Sequence, residues 1–404
     1  MKVIYLTHDF PQDGDAGGGA GSYVFNMSQI MIEKGHNVCV IVESNRDEVR
    51  KENGIEVHRI KATKGFRNTG GRMKVYQKVL KNIWRSVWYN AEVRKICRKE
   101  KVDIVQSVDS YAISLLRCKQ IPYIVRFSGY SPFWAGAMRP VFDRKNWLNS
   151  KRMDFRLWRW AYKRADTLIA PSELVKGLIE ADSKRTVTVV ESPVCIRELK
   201  KAECEYNISE GQYWVTFGRM TYRKSVPVIA EIIDDLLDKY PKMKYVMIGK
   251  DEKIFYKDMS MNVSDMFKMN IKRHYDRFVF TGKISDRNLL FQIVKNSYAC
   301  ILPTRVDNLP NSILEAMALG KIVISSDKTS AEQLIVDGYN GFLTEIDNGE
   351  ALYQKIEYIM QLPIEEREEI EHRAKERVKA LTPENVYEKM IKIYSKTIEQ
   401  YKYQ

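Results

Sequence analysis

VDNLPNSILEAMALGKIVIS, residues 306–325, reads as three pieces in a row. A polar loop through Asp307 and Asn308 runs into Leu309-Pro310, a helix carrying one carboxylate, Glu315, follows, and an almost wholly apolar strand closes the stretch. YACILPT (298–304), just before it, reads as another strand. Strand, helix, strand is the repeating unit of a parallel sheet. Pro310 suits the first turn of a helix, where its missing N–H is no loss. The N–H groups of Asn311, Ser312 and Ile313 then point out of the helix start and, with the helix dipole, form an anion site. Glu315, about a turn in, is placed to accept two hydrogen bonds from a diol such as ribose. The same spacing also suits a capped core helix in which Glu315 serves its own N-terminus.

The pattern continues outward. QYWVTFGR (212–219), KYVMIGK (244–250), DRFVFTG (276–282) and GFLTEI (341–346) read as further strands, with PVIAEIIDDLLDKY (227–240) as a helix. The first half repeats the theme. KVIYLTHD (2–9), a Gly-rich loop DGDAGGGAG (13–21), a helix over 22–34 closed by Gly35, and NVCVIV (37–42) make one unit. GIEVHRI (54–60), VDIVQS (102–107), PYIVRF (122–127), DTLIAPS (166–172) and VTVVES (187–192) add strands. A polar linker over 195–211 separates the halves. Two α/β, Rossmann-like, doubly wound domains are expected, 1–195 and 196–381. Ligands of such sheets bind outside the carboxyl ends of the strands, so a cleft between the halves would join both sets of ends. Residues 382–404 read as a closing helix that packs back on the protein, with Thr382 as N-cap and Pro383 at its first position.

Composition narrows the class. With 404 residues the chain exceeds one ordinary core. No apolar run approaches the ~18 residues of a membrane span, and MKVIYLTHDF is too short for a signal peptide. Cysteines 39, 97, 118, 195, 204 and 300 lack zinc-like spacing and read as reduced thiols of a cytoplasmic enzyme. The net charge of +14 is lopsided: residues 1–195 hold 34 Lys and Arg against 20 Asp and Glu, and the remainder holds 32 of each. A basic first half implies an anionic partner.

FGRMTYRKS (217–225) follows a strand directly. Arg219 and Lys224 flank its turn, where two cations suit a diphosphate, although solvated surface charge explains them equally. GRMTYRKS, FVFTGKIS, LPTRVDNLPNSILEAMALGKIVISSD and DGYNGFL, in that order, resemble the retaining GT-B glycosyltransferases of family four. GGGAGSYVFNMSQIMIEKGHNVCVI, IPYIVRFSGY and ADTLIAPSE are similar to that family's first domain, so the resemblance spans nearly the whole chain. It implies two Rossmann-like domains facing each other across a cleft. It also implies transfer of a sugar, with retention, from a nucleotide-diphospho-sugar to a saccharide or lipid-linked saccharide, most simply a UDP-sugar in cell-surface polysaccharide biosynthesis. The resemblance places Glu315 on the ribose hydroxyls, Asp307 beside the transferred sugar, and Arg219 and Lys224 on the diphosphate. The backbone at Asn308, Leu309 and Pro310 would contact sugar and phosphate, the Lys283-Ile284 loop would hold the base, and Gly18-Gly19-Ala20 would close over the diphosphate. Two departures stand out. Asp307 replaces a Glu and is one methylene shorter, and Ser128, in FSGY, stands where many members carry a His. Arg126, two residues earlier, would share a strand face with Ser128. The implied route is same-face attack in which the leaving phosphate takes the acceptor's proton, with no protein nucleophile, cofactor or metal.

DGD (13–15) resembles a metal-binding Asp-x-Asp but lies in a Gly-rich loop rather than behind a buried strand. GGGAG with Glu43 resembles a dinucleotide fingerprint, but its glycines begin too far beyond the first strand. His8 ends that strand and is a candidate for the sugar side; His36 reads as structural. GGRMKVYQKVLKNIWRSVWYNAEVRKICRKEK (70–101) reads as a long helix with Lys74, Lys78, Lys81 and Arg85 in one stripe beside Trp84 and Trp88. RKNWLNSKRMDFRLWRWAYKRA (144–165) repeats the theme with Trp147, Trp158 and Trp160. Such faces suit the cytoplasmic surface of an anionic membrane. They equally describe core tryptophans beside solvated lysines. Nucleic-acid binding is the other-class alternative, without a recognisable module.

Overall fold

The computed structural model describes residues 1–11, 18–61, 73–130, 133–134, 137, 153–196, 198–200 and 206–403. The Asp13–Asp15 motif, Trp147 and Cys204 lie outside these residues, as do the side chains of Lys74 and its two helical neighbours.

The first unit is built on an eight-stranded sheet. Strand β1 (Lys2–Thr7) is buried along its whole length. It leads to helix α1 (Gly19–Glu33), β2 (Asn37–Glu43), β3 (Glu48–Glu52) and β4 (Ile55–Ile60). Helix α2 (Met73–Cys97), β5 (Ile104–Val108) and β6 (Tyr123–Arg126) follow. After α3 (Met153–Lys163) come β7 (Thr167–Ala170), α4 (Glu173–Ser183) and β8 (Thr188–Val189). The order is β3-β4-β2-β1-β5-β6-β7-β8, all parallel except β3. Parallel strands covered on both faces read as continuous apolar runs, which is what KVIYLT and VCVIV are. Each fully buried Val, Ile or Leu contributes about 1.5–3 kcal/mol. Strand β3 is the exception: EVRKE is charged, exposed and antiparallel, an edge whose charges discourage further pairing.

The second unit repeats the plan with six strands. Strand β9 (Tyr213–Phe217), α5 (Val226–Lys239) and β10 (Lys244–Ile248) open it. A hairpin of β11 (Lys253–Tyr256) and β12 (Met259–Asn262) interrupts before α6 (Val263–Asn270) and β13 (Phe278–Gly282). Then come α7 (Arg287–Lys295), β14 (Ala299–Ile301), α8 (Asn311–Ala318), β15 (Val323–Ser326) and β16 (Phe342–Thr344). Helices α9 (Gly349–Met360) and α10 (Ile364–Lys379) close this unit. The parallel order is β13-β10-β9-β14-β15-β16. Gly249 is required where β10 ends: a Cβ there would lie 2.1 Å from the Gly218 carbonyl oxygen.

The last helix, α11 (Pro383–Lys402), belongs to the first unit. Thr382 caps it by accepting from Asn385 N, and Val386, Met390 and Tyr394 join the first core. The buried Tyr394 hydroxyl donates to Gln106 Oε1 at 2.6 Å and lies 3.0 Å from Tyr5 Oη, so the helix is tied to β5 and β1 by polar contacts as well as packing.

Candidate active site

In the second unit the candidate residues sit where strands end and helices begin. The turn after β9 carries Arg219, Arg223 and Lys224 and ends at Ser225, held at φ 46°. That strained turn is pinned from the neighbouring loop. Arg223 O accepts from Arg305 N and Thr304 Oγ1, each at 2.9 Å. Asp347 accepts from Arg305 Nε at 2.7 Å and from Ser225 Oγ at 3.1 Å.

So fixed, Lys224 reaches Asp307, with Nζ 2.6 Å from Oδ2. Asp307 Oδ1 accepts from Asn308 N at 2.8 Å, and its backbone oxygen from Ser330 Oγ at 2.8 Å. Burial alone would raise this carboxyl, but the Lys224 and Arg223 charges outweigh it and hold Asp307 below the usual carboxylate range. Glu315 goes the other way. Burial pushes its carboxyl up, opposed by Arg287 and more weakly by Lys224. Arg287 donates to Glu315 Oε1 at 2.5 Å from a guanidinium stacked on Phe291. Lys224 thus lies within the field of both acids. Arg219, at 70% exposure of its side chain, meets only Glu252 among the described residues, at 3.3 Å.

Pro310 is the residue before α8 rather than its first helical residue, and no side chain caps that helix. The expectation of three open N–H groups needs correction: Ile313 N donates to Pro310 O at 3.0 Å, as a tight first turn requires. Asn311 and Ser312 remain at the helix start, and Ser312 Oγ is buried without a hydrogen-bond partner among the described residues. Leu309 is buried beneath the loop, and Ile284 is half-buried beyond β13.

In the first unit, Ser128 donates through both N and Oγ to Asp109 Oδ1, at 2.7 and 2.8 Å. Asp109 follows β5 and is buried, which pushes its carboxyl up to about 6. The next turn is strained: Tyr111 and Ala112 take φ of 58° and 56°. Two polar residues on the inner face of α2 hold the segment that follows it. Ser86 Oγ donates to Ile113 O and accepts from Leu116 N, both at 2.8 Å, and Asn90 Nδ2 reaches Ile113 O at 2.9 Å. His8 meets Tyr111 edge-on at 5.1 Å, and burial lowers its pKa below the ordinary imidazole value. Arg126 is not a solvent-facing cation. It is 4% exposed, with its guanidinium 3.4 Å from the Tyr23 ring centroid and Nη2 on Ser192 Oγ at 3.0 Å. Gly18 N donates to the Asp9 carboxylate at the start of α1, where Gly19 begins the helix.

The basic stripe on α2 also needs correction. Arg85 pairs with Glu43 at 2.7 Å and lies over the Tyr111 ring at 4.1 Å, so it serves the fold. Glu43, the acid of the dinucleotide reading, is occupied by that contact. Lys78 is exposed, Lys81 is half-buried, and Trp84 and Trp88 are each 44% exposed, edge to face at 6.2 Å. Cys39, Glu56 and His58 cluster closely enough to suggest a metal site. The Lys2 ammonium already occupies it, 3.1 Å from Glu56, and both His58 nitrogens face carboxylates at 2.8 Å. His36 is structural, bridging the Met1 amine and Tyr387 Oη.

Comparison with known proteins decides the class. The model described as "Glycosyltransferase Family 4" matches residues 17–196, and "Glycosyl transferases group 1" matches 203–377. The chain belongs to the GT-B glycosyltransferases of family four. An uncharacterized glycosyltransferase of Methanocaldococcus jannaschii is 22% identical over 88% of this glycosyltransferase and 87% of its own length. N,N'-diacetylbacillosaminyl-diphospho-undecaprenol alpha-1,3-N-acetylgalactosaminyltransferase of Campylobacter jejuni is 22% identical over 89% and 90%. Anabaena HepE, solved with UDP and glucose, shares the fold at TM-score 0.71 and 15% identity, covering 98% of this chain and 99% of its own. Sequence reasoning missed Asp109, Arg223 and Arg287. Asp109 carried a usable signal, since it stands just past the carboxyl end of a strand.

Proposed function

We propose that this glycosyltransferase moves a sugar, with retention, from a UDP-sugar to a saccharide or lipid-linked saccharide acceptor in cell-surface polysaccharide biosynthesis. The observation that carries the reading is Lys224 paired with Asp307 at 2.6 Å and within the field of Glu315, two acids with opposite shifts. Donor cleavage puts negative charge on the leaving diphosphate. Lys224, Arg219 and the N–H groups at Asn311 and Ser312 meet that charge, one such donor being worth roughly 3–4 kcal/mol. Asp307 is the resting counter-ion of Lys224. When a diphosphate draws the ammonium away, the carboxylate turns to a hydroxyl of the transferred sugar. Glu315 takes the ribose diol, exchanging the half-exposed Arg287 for it. Asn308, Leu309 and Pro310 supply backbone contacts, and Ile284 a flank for the base. The acceptor hydroxyl delivers its proton to the departing phosphate, so no side chain acts as nucleophile, and cations rather than a bound metal carry the charge.

The UDP donor is suggested by HepE, and the lipid-linked acceptor by the Campylobacter relative. Among the described residues no helix is long and apolar enough to cross a membrane. We place the enzyme on the cytoplasmic membrane face, held there by the first unit through Lys78, Lys81, Trp84 and Trp88. On the acceptor side the reading uses Ser128, Asp109 and His8. A thermal-shift screen against UDP-, GDP- and ADP-sugars tests the donor. Stabilisation by UDP-sugars alone is expected, and no shift with any of them would end this reading. Transfer that persists in EDTA, with the product anomer assigned by NMR, tests metal independence and retention.

A further inference from the structure

Outside the candidate site, an open groove of about 760 Å³ lies between the end of α2 and the loop entering β6. Arg94, Arg98, Arg117, Lys119 and Arg164 line it, and among the described residues no carboxylate does. Their engagements differ. Arg117 is held by Asp166, Arg164 donates to Leu115 O at 2.9 Å, and Arg94 to Leu116 O at 3.3 Å. Arg98 and Lys119 are exposed and have no ion-pair or side-chain hydrogen-bond partner among the described residues. Two exposed cations with no carboxylate beside them among the described residues, next to three cations already held, make a local positive surface that attracts an anion. The groove is at the amino-terminal ends of β5 and β6, the sheet edge opposite Asp109 and Ser128, so it does not belong to the site described above.

Apart from Gln120, the rest of the groove lining is aliphatic or cysteine. Val87 and Leu116, each 36% exposed, form part of its wall. Val87 belongs to a stripe that follows helical spacing along the outer face of α2. Tyr76, Leu80, Trp84 and Val87 are exposed, and the same line continues through Ala91 to Arg94 and Arg98. One helix face therefore passes from aromatic and aliphatic to cationic. Inorganic phosphate would use only the cationic end, whereas an anionic amphiphile uses both.

We propose that this groove binds the phosphate headgroup of an anionic membrane lipid, with Arg98 and Lys119 as direct contacts and the Trp84–Val87 surface against the acyl region. The proposal rests on the membrane reading above but makes a narrower claim. The test is flotation of the full chain with vesicles of phosphatidylglycerol in phosphatidylcholine, against phosphatidylcholine alone. Arg94→Gln/Arg98→Gln/Lys119→Gln should bind the anionic vesicles about a hundredfold more weakly, from the usual contribution of a cation near an anionic surface. Lys268→Gln/Lys272→Gln/Lys295→Gln, which removes equal charge from the second unit, should bind as wild type. Arg98→Gln/Lys119→Gln, a milder change at two exposed positions, should show most of the loss, with donor binding unchanged in every variant. Millimolar inorganic phosphate should not compete. If the groove variants bind like wild type while Trp84→Ala/Trp88→Ala does not, the headgroup site is wrong and the membrane reading stands. If wild type ignores anionic vesicles, or binds RNA in their place, both fall.

Discussion

Lys224→Met tests the centre of the proposed site, because the consequences for stability and for turnover separate. Lys224 and Asp307 expose 17% and 15% of their side chains, so their 2.6 Å pair is largely shielded from solvent. Removing the ammonium strands a buried carboxylate, at about 3 kcal/mol. In a unit the size of the second one that lowers its melting temperature by roughly 6–12 °C. The pH dependence has a definite sign. In the wild type the folded Asp307 pKa is depressed below its ordinary value of 3.8, so the pair stabilises above that value and is lost as pH falls through the folded pKa. Without Lys224 the main depressing charge is gone and burial raises the carboxyl, so the gap between variant and wild type narrows toward acid pH. Lys224→Met/Asp307→Asn removes both charges and should recover to within about 1 kcal/mol of wild-type stability. Turnover should not recover. The transition-state charge on the diphosphate has lost a donor, and kcat/KM should fall about 100- to 1,000-fold in both variants. Denaturation at pH 5 and 8 beside a transfer assay with saturating acceptor reads both quantities. A double variant that is stable and retains wild-type kcat/KM would refute the role given to Lys224.

Glu315→Gln removes the diol acceptor and leaves Arg287 without its carboxylate, so UDP titrated by calorimetry should bind at least about tenfold more weakly, with the fold intact. Asp109 titrates near 6 when folded against 3.8 unfolded, so the folded carboxyl holds its proton more tightly. Wild-type stability should therefore fall by about 3 kcal/mol as pH rises from below 4 to above 6. Asp109→Asn keeps an acceptor for Ser128 and should lose that slope in urea titrations across the window. Gly249→Ala forces a Cβ against the Gly218 carbonyl and should cost at least about 2 kcal/mol by the same measurement, loosening the turn that carries Arg219.

The parallel strands were legible because each buries both faces and so announces itself as a short apolar run between helices. Strand β3 was not, because its EVRKE sequence is written for solvent and its pairing is decided by β4. The β11–β12 hairpin was equally hidden. Its turn places Lys257 and Asp258 at φ of 45° and 63° without the glycine that usually marks such a turn. Within the site, the positions of Asp307, Glu315 and Lys224 could be read from their motif. Their partners could not: Arg287 lies 28 residues from Glu315, and its pairing is a property of α7 packing on α8.

Charge shows the same division more sharply. A surplus of +14 suggests one broad basic surface, but the fold consumes much of the first half's arginine internally. Arg59 pairs with Glu52, Arg85 with Glu43, Arg117 with Asp166, and Arg159 with Asp182. Arg185 donates to the carbonyls of Tyr162, Lys163, Ala165 and Asp166, fastening the end of α3 to the start of β7. Arg126 is enclosed with tyrosines. Arginine's rigid fork suits these buried tasks, and the count of positive residues does not distinguish them from cations facing solvent. What remains to meet an anion is therefore local rather than general. On α2, Arg85 is turned inward onto Glu43 and Tyr111, while Arg94, with Arg98 just past the helix end, stays on the outer face beside Lys119. The sequence stripe and the structural one share a helix but run along different faces, because helical phase, not composition, decides which side chains a partner can reach.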